Sequence, residues 1–244
     1  MKQYEAVIKV MEENGGYATF GHLYQHVLDV PDVVWTTKTP FASMRRIVQD
    51  DRFFFKIKPG LWALKSHRDI VLKKFDIDEK SSEEKRQEFD HSYYQGLLVE
   101  IGNLKGHQTF VPYQDKNRMY LSSPLSKYTT LERFHEFTYE HLVRRAVTID
   151  VTWFNERNLP NSFFEVEHTT DIQNSLLKFL ELQDFYANFN IVAPDSRLKE
   201  FEAKLSYTAF KSIKGRVEFV DYEKLSAYHS KMFEFQEAQR TIKL

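Results

Sequence analysis

Cysteine is absent from the 244-residue chain, which excludes disulfides, thiolate metal sites and cysteine nucleophiles. Glycine is scarce as well: the eight present form no Gly-rich phosphate loop, so a nucleotide-driven motor is excluded and no nucleotide cofactor is expected. No run of 18 apolar residues occurs and the amino terminus carries no apolar signal region, which predicts a cytoplasmic protein with no membrane partner. Nor does one sign of charge dominate. With 34 Lys and Arg against 35 Asp and Glu, any basic surface has to be local. What remains is 42% hydrophobic residues, enough to fill the cores of one or two soluble domains, and no internal repeat.

The most informative stretch is Ile149-Asp150-Val151-Thr152-Trp153-Phe154, followed after a polar loop by Phe164-Glu165-Val166-Glu167-His168. Both pieces are rich in β-branched and aromatic residues, and Asn155 to Ser162 supplies turn formers between them. A hairpin centred near Arg157-Asn158 pairs Val151 with Phe164 and sets Asp150 opposite Glu165. Cross-strand neighbours have Cβ atoms roughly 4.5–5.5 Å apart, where like charges repel. Glu167 shares the face of Glu165 by the two-residue period. Acids on a solvated sheet face are ordinary, but Trp153, Phe154, Phe163 and Phe164 predict strands covered on both sides, where unpaired acids are costly. A divalent cation is the simplest reason for such a trio.

Strand, turn and acid-x-residue strand followed by a helix resemble the PD-(D/E)xK nuclease superfamily, which includes many restriction enzymes. The likeness covers about residues 145–195. It implies an α/β restriction-endonuclease-like core, a mixed sheet flanked by helices. It also implies that Asp150 and Glu165 bind Mg²⁺ (or Mn²⁺) and that a residue two positions on activates water. Here that residue is Glu167, where the family more often has Lys; Lys178 on the next helix could substitute for it. Family members often place a fourth acid on the first helix of the core, and Glu100 is the candidate, on the border of the stripe Tyr94, Leu97, Leu98 and Ile101. After the hairpin, Thr170 with Gln173 reads as a capping box for a helix with stripe Ile172, Leu176, Phe179 and Leu180. Phe189 to Ala193 then gives a strand expected to run parallel to the preceding one.

The first 65 residues differ in character. Stripes Tyr4-Val7-Ile8-Met11 and Phe20-Leu23-Val27-Leu28 predict two helices, and Thr39-Pro40 opens a third with Phe41, Met44, Ile47 and Val48 inward. Residues 53–58, Pro59-Gly60 and residues 61–64 read as a hairpin. Three helices and a hairpin resemble a winged helix of the HARE type, with its Thr-Pro third helix and its Trp62-Ala63-Leu64 wing end. Residues 1–37 hold two Lys against five Asp or Glu, whereas residues 38–65 hold seven Lys or Arg against two Asp. The positive charge thus falls on third helix and wing, the elements such a module offers to DNA. Lys38, Arg45, Arg46, Lys56 and Lys58 are the candidate contacts.

The expected organisation is a winged-helix DNA-binding domain over residues 1–66, a charged linker or helix over 67–90, and a nuclease-like domain over 91–244 whose tail helix, 227–244, packs on that domain or on a partner subunit. The expected activity is Mg²⁺-dependent cleavage of duplex DNA, with sequence or base-modification specificity left open; cutting both strands would take a homodimer or two successive nicks. The alternative is a catalytically inactive winged-helix regulator with a nuclease-like fold. His22 and His26, four apart on a predicted helix, could share a metal but have no third ligand nearby, and His135 with His141 lacks the spacing of a zinc protease.

Overall fold

Gly15 and Gly16, at φ of +83° and +90°, stop helix α1 (Gln3–Glu13) and turn the chain into strand β1 (Tyr17–Thr19). The Thr19 hydroxyl accepts the His22 N–H and so caps α2 (Phe20–His26). Thr39 and Pro40 open α3 (Pro40–Ile47) as N-cap and first-turn residue, with Met44 and Val48 fully buried. Strands β2 (Phe54–Lys58) and β3 (Leu61–Leu64) form an antiparallel hairpin, and β1 adds to the other side of β3, giving the order β1–β3–β2. Phe54 is the buried residue of β2, while Phe55 and Ile57 are half-buried. Helix α4 (Arg68–Lys74) follows.

This is a computed structural model, and it describes residues 1–242. The chain divides into two compact units: residues 1–82 together with those from Ser226 onward, and residues 83–225. The predicted tail helix is the later part of α9 (Tyr222–Ile242), and from Ser226 it belongs to the first unit; residues 243–244 lie outside the described residues. There Phe233 lies against Gly21, where an added Cβ would come within 2.7 Å of its ring. The charged stretch 67–90 contains α4 and the first turns of a long helix, α5 (Glu83–Leu104).

In the second unit α5 is followed by β4 (Gln108–Phe110), short strands β5 (Met119–Tyr120) and β6 (Ser123–Pro124), and α6 (Glu140–Ala146). Then come β7 (Val151–Phe154), β8 (Pro160–Val166), α7 (Ile172–Glu181), β9 (Asn188–Ala193), α8 (Leu198–Leu205) and β10 (Val217–Asp221). The five-stranded sheet has the order β10–β9–β8–β7–β4. It is mixed: β10, β9 and β8 run parallel, while β7 is antiparallel to both β8 and β4. The fold is therefore mixed α/β, with helices flanking the sheet. Phe163, Phe189 and Ile191 project from one face into a core with Leu176 and Phe179 of α7 and Phe201 of α8. On β7, Trp153 donates its ring N–H to the Leu98 carbonyl of α5 at 3.1 Å. Residues 92–99 of α5 are all buried, so this helix has no solvent face along its middle.

One local expectation is corrected. Helix α7 is capped by Asp171, whose carboxylate accepts the Gln173 N–H at 3.0 Å, and not by Thr170. The Thr170 hydroxyl is instead bonded to Glu167. Two adjacent residues could both cap, and the nearby carboxylate decides between them.

Candidate functional site

Strand register positions the acids. Val151 pairs with Phe164 and Thr152 with Phe163, so Asp150, one residue before β7, lies level with Glu165 of β8. The Asp150 carboxylate accepts the backbone N–H of Val166 at 2.7 Å, which fixes it at the mouth of the hairpin. Glu165 is almost wholly buried. Lys178 of α7 donates to its two oxygens at 2.8 and 2.9 Å and to the Thr148 carbonyl at 3.1 Å. Ser175, one turn earlier on the same helix, donates to Glu165 at 3.1 Å and also bonds Glu167. Glu167 is buried too, held by the Thr170 and Ser175 hydroxyls, with the Arg197 guanidinium 4.0 Å away.

A second group surrounds Asp150 from α5 and from the irregular segment after β4. His91 Nε2 lies 3.5 Å from an Asp150 oxygen and 4.0 Å from Asp115. One ligand atom from each of His91, Asp115 and Asp150 lies within 4.8 Å of the other two, a spacing that could hold a metal ion. Gln95, fully buried, donates its amide both to Asp115 at 2.9 Å and to the Asp150 carbonyl at 3.1 Å. Arg118 closes the ring, 3.0 Å from Asp115.

Electrostatics shows what this crowding costs. Burial, then the charge of Asp150, pushes the Glu165 carboxyl well above the usual range; the Lys178 ammonium opposes the shift without cancelling it. Burial pulls the His91 imidazole down, but the Asp150 and Asp115 carboxylates outweigh it and raise the value.

Of the residues expected at the site, Asp150, Glu165 and Glu167 are brought together. Glu100 goes elsewhere: its carboxylate accepts the Tyr120 hydroxyl at 2.7 Å. The α5 residue that reaches the Asp150 carboxylate is His91, nine residues earlier and so about 13 Å along the helix axis; Gln95, between them, reaches the Asp150 carbonyl. Asp115 and Gln95 gave no sequence signal, since neither belongs to a recognisable spacing. Lys178 did have one, three residues after Ser175 on one flank of α7. In the first unit, Lys38, Arg46 and Lys56 are exposed and Lys58 is half-buried. Arg45 is engaged internally, 2.8 Å from the Tyr24 hydroxyl and 2.9 Å from Glu234 of α9.

A sheet with acids gathered at the mouth of one hairpin places the protein among the α/β proteins, and comparison with known proteins narrows the class. Residues 71–240 match the family described as the Type II restriction enzyme NmeDI C-terminal domain, and the chain belongs to that restriction-enzyme family. The Type II restriction enzyme NmeDI of Neisseria meningitidis serogroup C is 26% identical over 133 residues, which cover 50% of this chain and 38% of that enzyme. The matched part is therefore well under half of that relative's length. No solved structure matches. Among the described residues no helix is long and apolar enough to cross a membrane.

A prediction follows for the metal-free protein. Because the folded pKa of Glu165 lies above its unfolded value, the stability it contributes is present at acid pH and is lost as pH rises through the folded value. Glu165→Gln removes the charge and keeps an acceptor for Lys178. In EDTA at neutral pH it should melt higher than wild type, because the buried charge that Asp150 repels is gone. Part of the decline in stability with rising pH should vanish with it. Thermal melts from pH 4 to pH 9 check this, and a lower melting point for the variant throughout would contradict it.

Proposed function

We propose that the protein is a Mg²⁺- or Mn²⁺-dependent endonuclease that hydrolyses phosphodiester bonds in duplex DNA, built from a restriction-endonuclease-like unit and a winged-helix unit. The observation that carries the reading is the facing pair Asp150 and Glu165 with the Lys178 ammonium on Glu165, in a chain of a restriction-enzyme family. The donor set fits the ion. Carboxylate oxygens are the hard ligands that Mg²⁺ and Mn²⁺ prefer: Asp150 stands with Asp115 and His91 in a group whose spacing could hold an ion, Glu165 faces Asp150 from the next strand, and the His91 nitrogen adds a donor better suited to Mn²⁺. A bound divalent cation supplies Lewis acidity, lowering the pKa of a coordinated water and offsetting charge on the phosphate.

The chain's own residues divide the remaining work. Asp150 and Glu165 bind the cation and hold it at the hairpin mouth. Lys178 takes the water-orienting and proton-handling role for which the sequence offered Glu167: its Nζ lies on the Glu165 carboxylate that faces Asp150, whereas both Glu167 oxygens are turned to hydroxyl groups. Glu167 then positions Ser175 and the start of α7. Gln95 positions Asp150 through its carbonyl.

In the first unit, the order helix, strand, helix, helix, hairpin supports the winged-helix reading. Arg46, Lys56 and Lys38 are its DNA contacts, with Lys58 at the wing tip. Arg45, tied to Glu234, serves the unit's own packing.

The test is plasmid cleavage with Mg²⁺ or Mn²⁺. Wild type cuts; Asp150→Ala and Glu165→Ala do not, although both still bind DNA. Lys178→Ala cuts about 10²–10⁴-fold more slowly, the usual worth of a positioned proton-transfer group, and Glu167→Gln loses much less. A folded wild type that binds DNA and never cuts it would favour the regulator with an inactive nuclease fold.

The winged-helix half has its own measurement. Binding of duplex DNA against salt should show Arg46→Ala and Lys56→Ala each reducing the log–log slope by roughly one phosphate contact. Unchanged slopes in both variants would remove DNA from that unit's role.

A further inference from the structure

The segment joining β4 to α6, residues 111–139, carries an inference that rests on the proposed nuclease activity and adds a substrate contact to it. β4 runs antiparallel to β7 with Phe110 opposite Thr152, so the segment leaves the sheet at the end where Asp150 lies. Five residues on, Asp115 is bound by Gln95 and Arg118 and stands in the same cluster as Asp150. Apart from the two short strands the segment is irregular, yet it is firmly held. Asp115, Tyr120 and Leu125 are buried, Ser126 N donates to the Lys116 carbonyl at 3.0 Å, and Leu131 N donates to the Thr109 carbonyl at 3.1 Å.

The outer side of this platform forms a cleft of about 610 Å³ whose walls include Tyr113, Lys116, Lys127, Thr130 and Arg133. Tyr113 is 58% exposed, with the Phe110 ring set edge-on against it at 5.6 Å between centroids. The Lys116 ammonium lies 4.5 Å from its ring centroid. Lys127 and Arg133 are exposed. Three cations face one acid, Glu132, in a chain that is nearly neutral overall. Exposed lysines alone would be ordinary surface. Here they share a concave site with a partly exposed aromatic ring and the Thr130 hydroxyl, which accepts the Thr109 N–H at 2.7 Å and keeps its own hydrogen to donate, on a segment tied through Asp115 to the acid cluster.

We propose that this cleft binds one nucleotide of the DNA strand beside the scissile phosphate. Lys127 and Arg133 pair with its phosphate, the Thr130 hydroxyl hydrogen-bonds a phosphate oxygen, and the Tyr113 ring stacks on the base. A firmly held cleft on the segment that carries Asp115 would register the strand against the acids, which makes the segment a determinant of where the DNA is cut.

The experiment uses the full chain with mixed-sequence duplex fragments for binding and plasmid with Mg²⁺ for cleavage. Lys127→Ala/Arg133→Ala should weaken binding and lower the log–log salt slope by roughly two. Tyr113→Ala should weaken binding about 5- to 100-fold, the range for losing one base–aromatic stack, whereas Tyr113→Phe should stay near wild type. Melting curves establish that each variant is folded. Wild-type affinity and slope in the double variant, together with wild-type affinity in Tyr113→Ala, would overturn the proposal. If wild type fails to cut while the binding pattern appears as described, the nuclease reading falls and the cleft stands; if wild type cuts and the variants bind and cut like it, the cleft falls alone.

Discussion

Two carboxylates held level by strand register set the terms for the second unit. The pairing of Val151 with Phe164 brings Asp150 to Glu165, and the surrounding aromatic residues remove the water that would screen them. Neighbouring elements answer that repulsion in named ways. Lys178 reaches Glu165 from α7, the Val166 N–H donates to Asp150, and His91 approaches Asp150 from α5. These partners reduce the cost, yet the Glu165 carboxyl remains pushed well above its usual range. Stability alone would have replaced such a pair with apolar residues. The cation binding proposed for the pair would account for its presence.

Much of this was legible in the sequence. The hairpin register could be read because a two-residue period and a turn leave little freedom, and one slip would have turned every aromatic side chain to the wrong face. The parallel β8–α7–β9 unit and the Thr39-Pro40 helix start were readable for similar reasons: local patterns with local causes. The phase of α5 was not. A helix buried on all sides along its middle does not show from its apolar pattern which residue meets the site: Glu100 bonds Tyr120, and His91 meets Asp150. Asp115 comes from an irregular segment 35 residues before Asp150, and no local spacing marks it. Lys178 could be named from its place on the helix after the hairpin, while its contact with Glu165 depends on how α7 lies against β8.

Charge follows the same division between local and global. A net charge of −1 says nothing about partners, while the concentration of Lys and Arg in residues 38–65 says a good deal. The structure refines that statement by withdrawing Arg45 into an ion pair with Glu234 and leaving Arg46 and Lys56 exposed. It also reveals a basic and aromatic cleft in the second unit that composition could not show, because its residues are scattered from Tyr113 to Arg133.

The central claim is that the facing acids exist to bind a divalent cation. Its most direct test is the melting temperature of wild type and of Asp150→Asn, each titrated with Mn²⁺ and with Mg²⁺. An ion bound only by the folded state raises stability by about 2.7 kcal/mol at 100 times its dissociation constant. The account predicts a saturable rise in wild type that is lost in Asp150→Asn. An equal rise in both proteins, or none in wild type at millimolar ion, would contradict it.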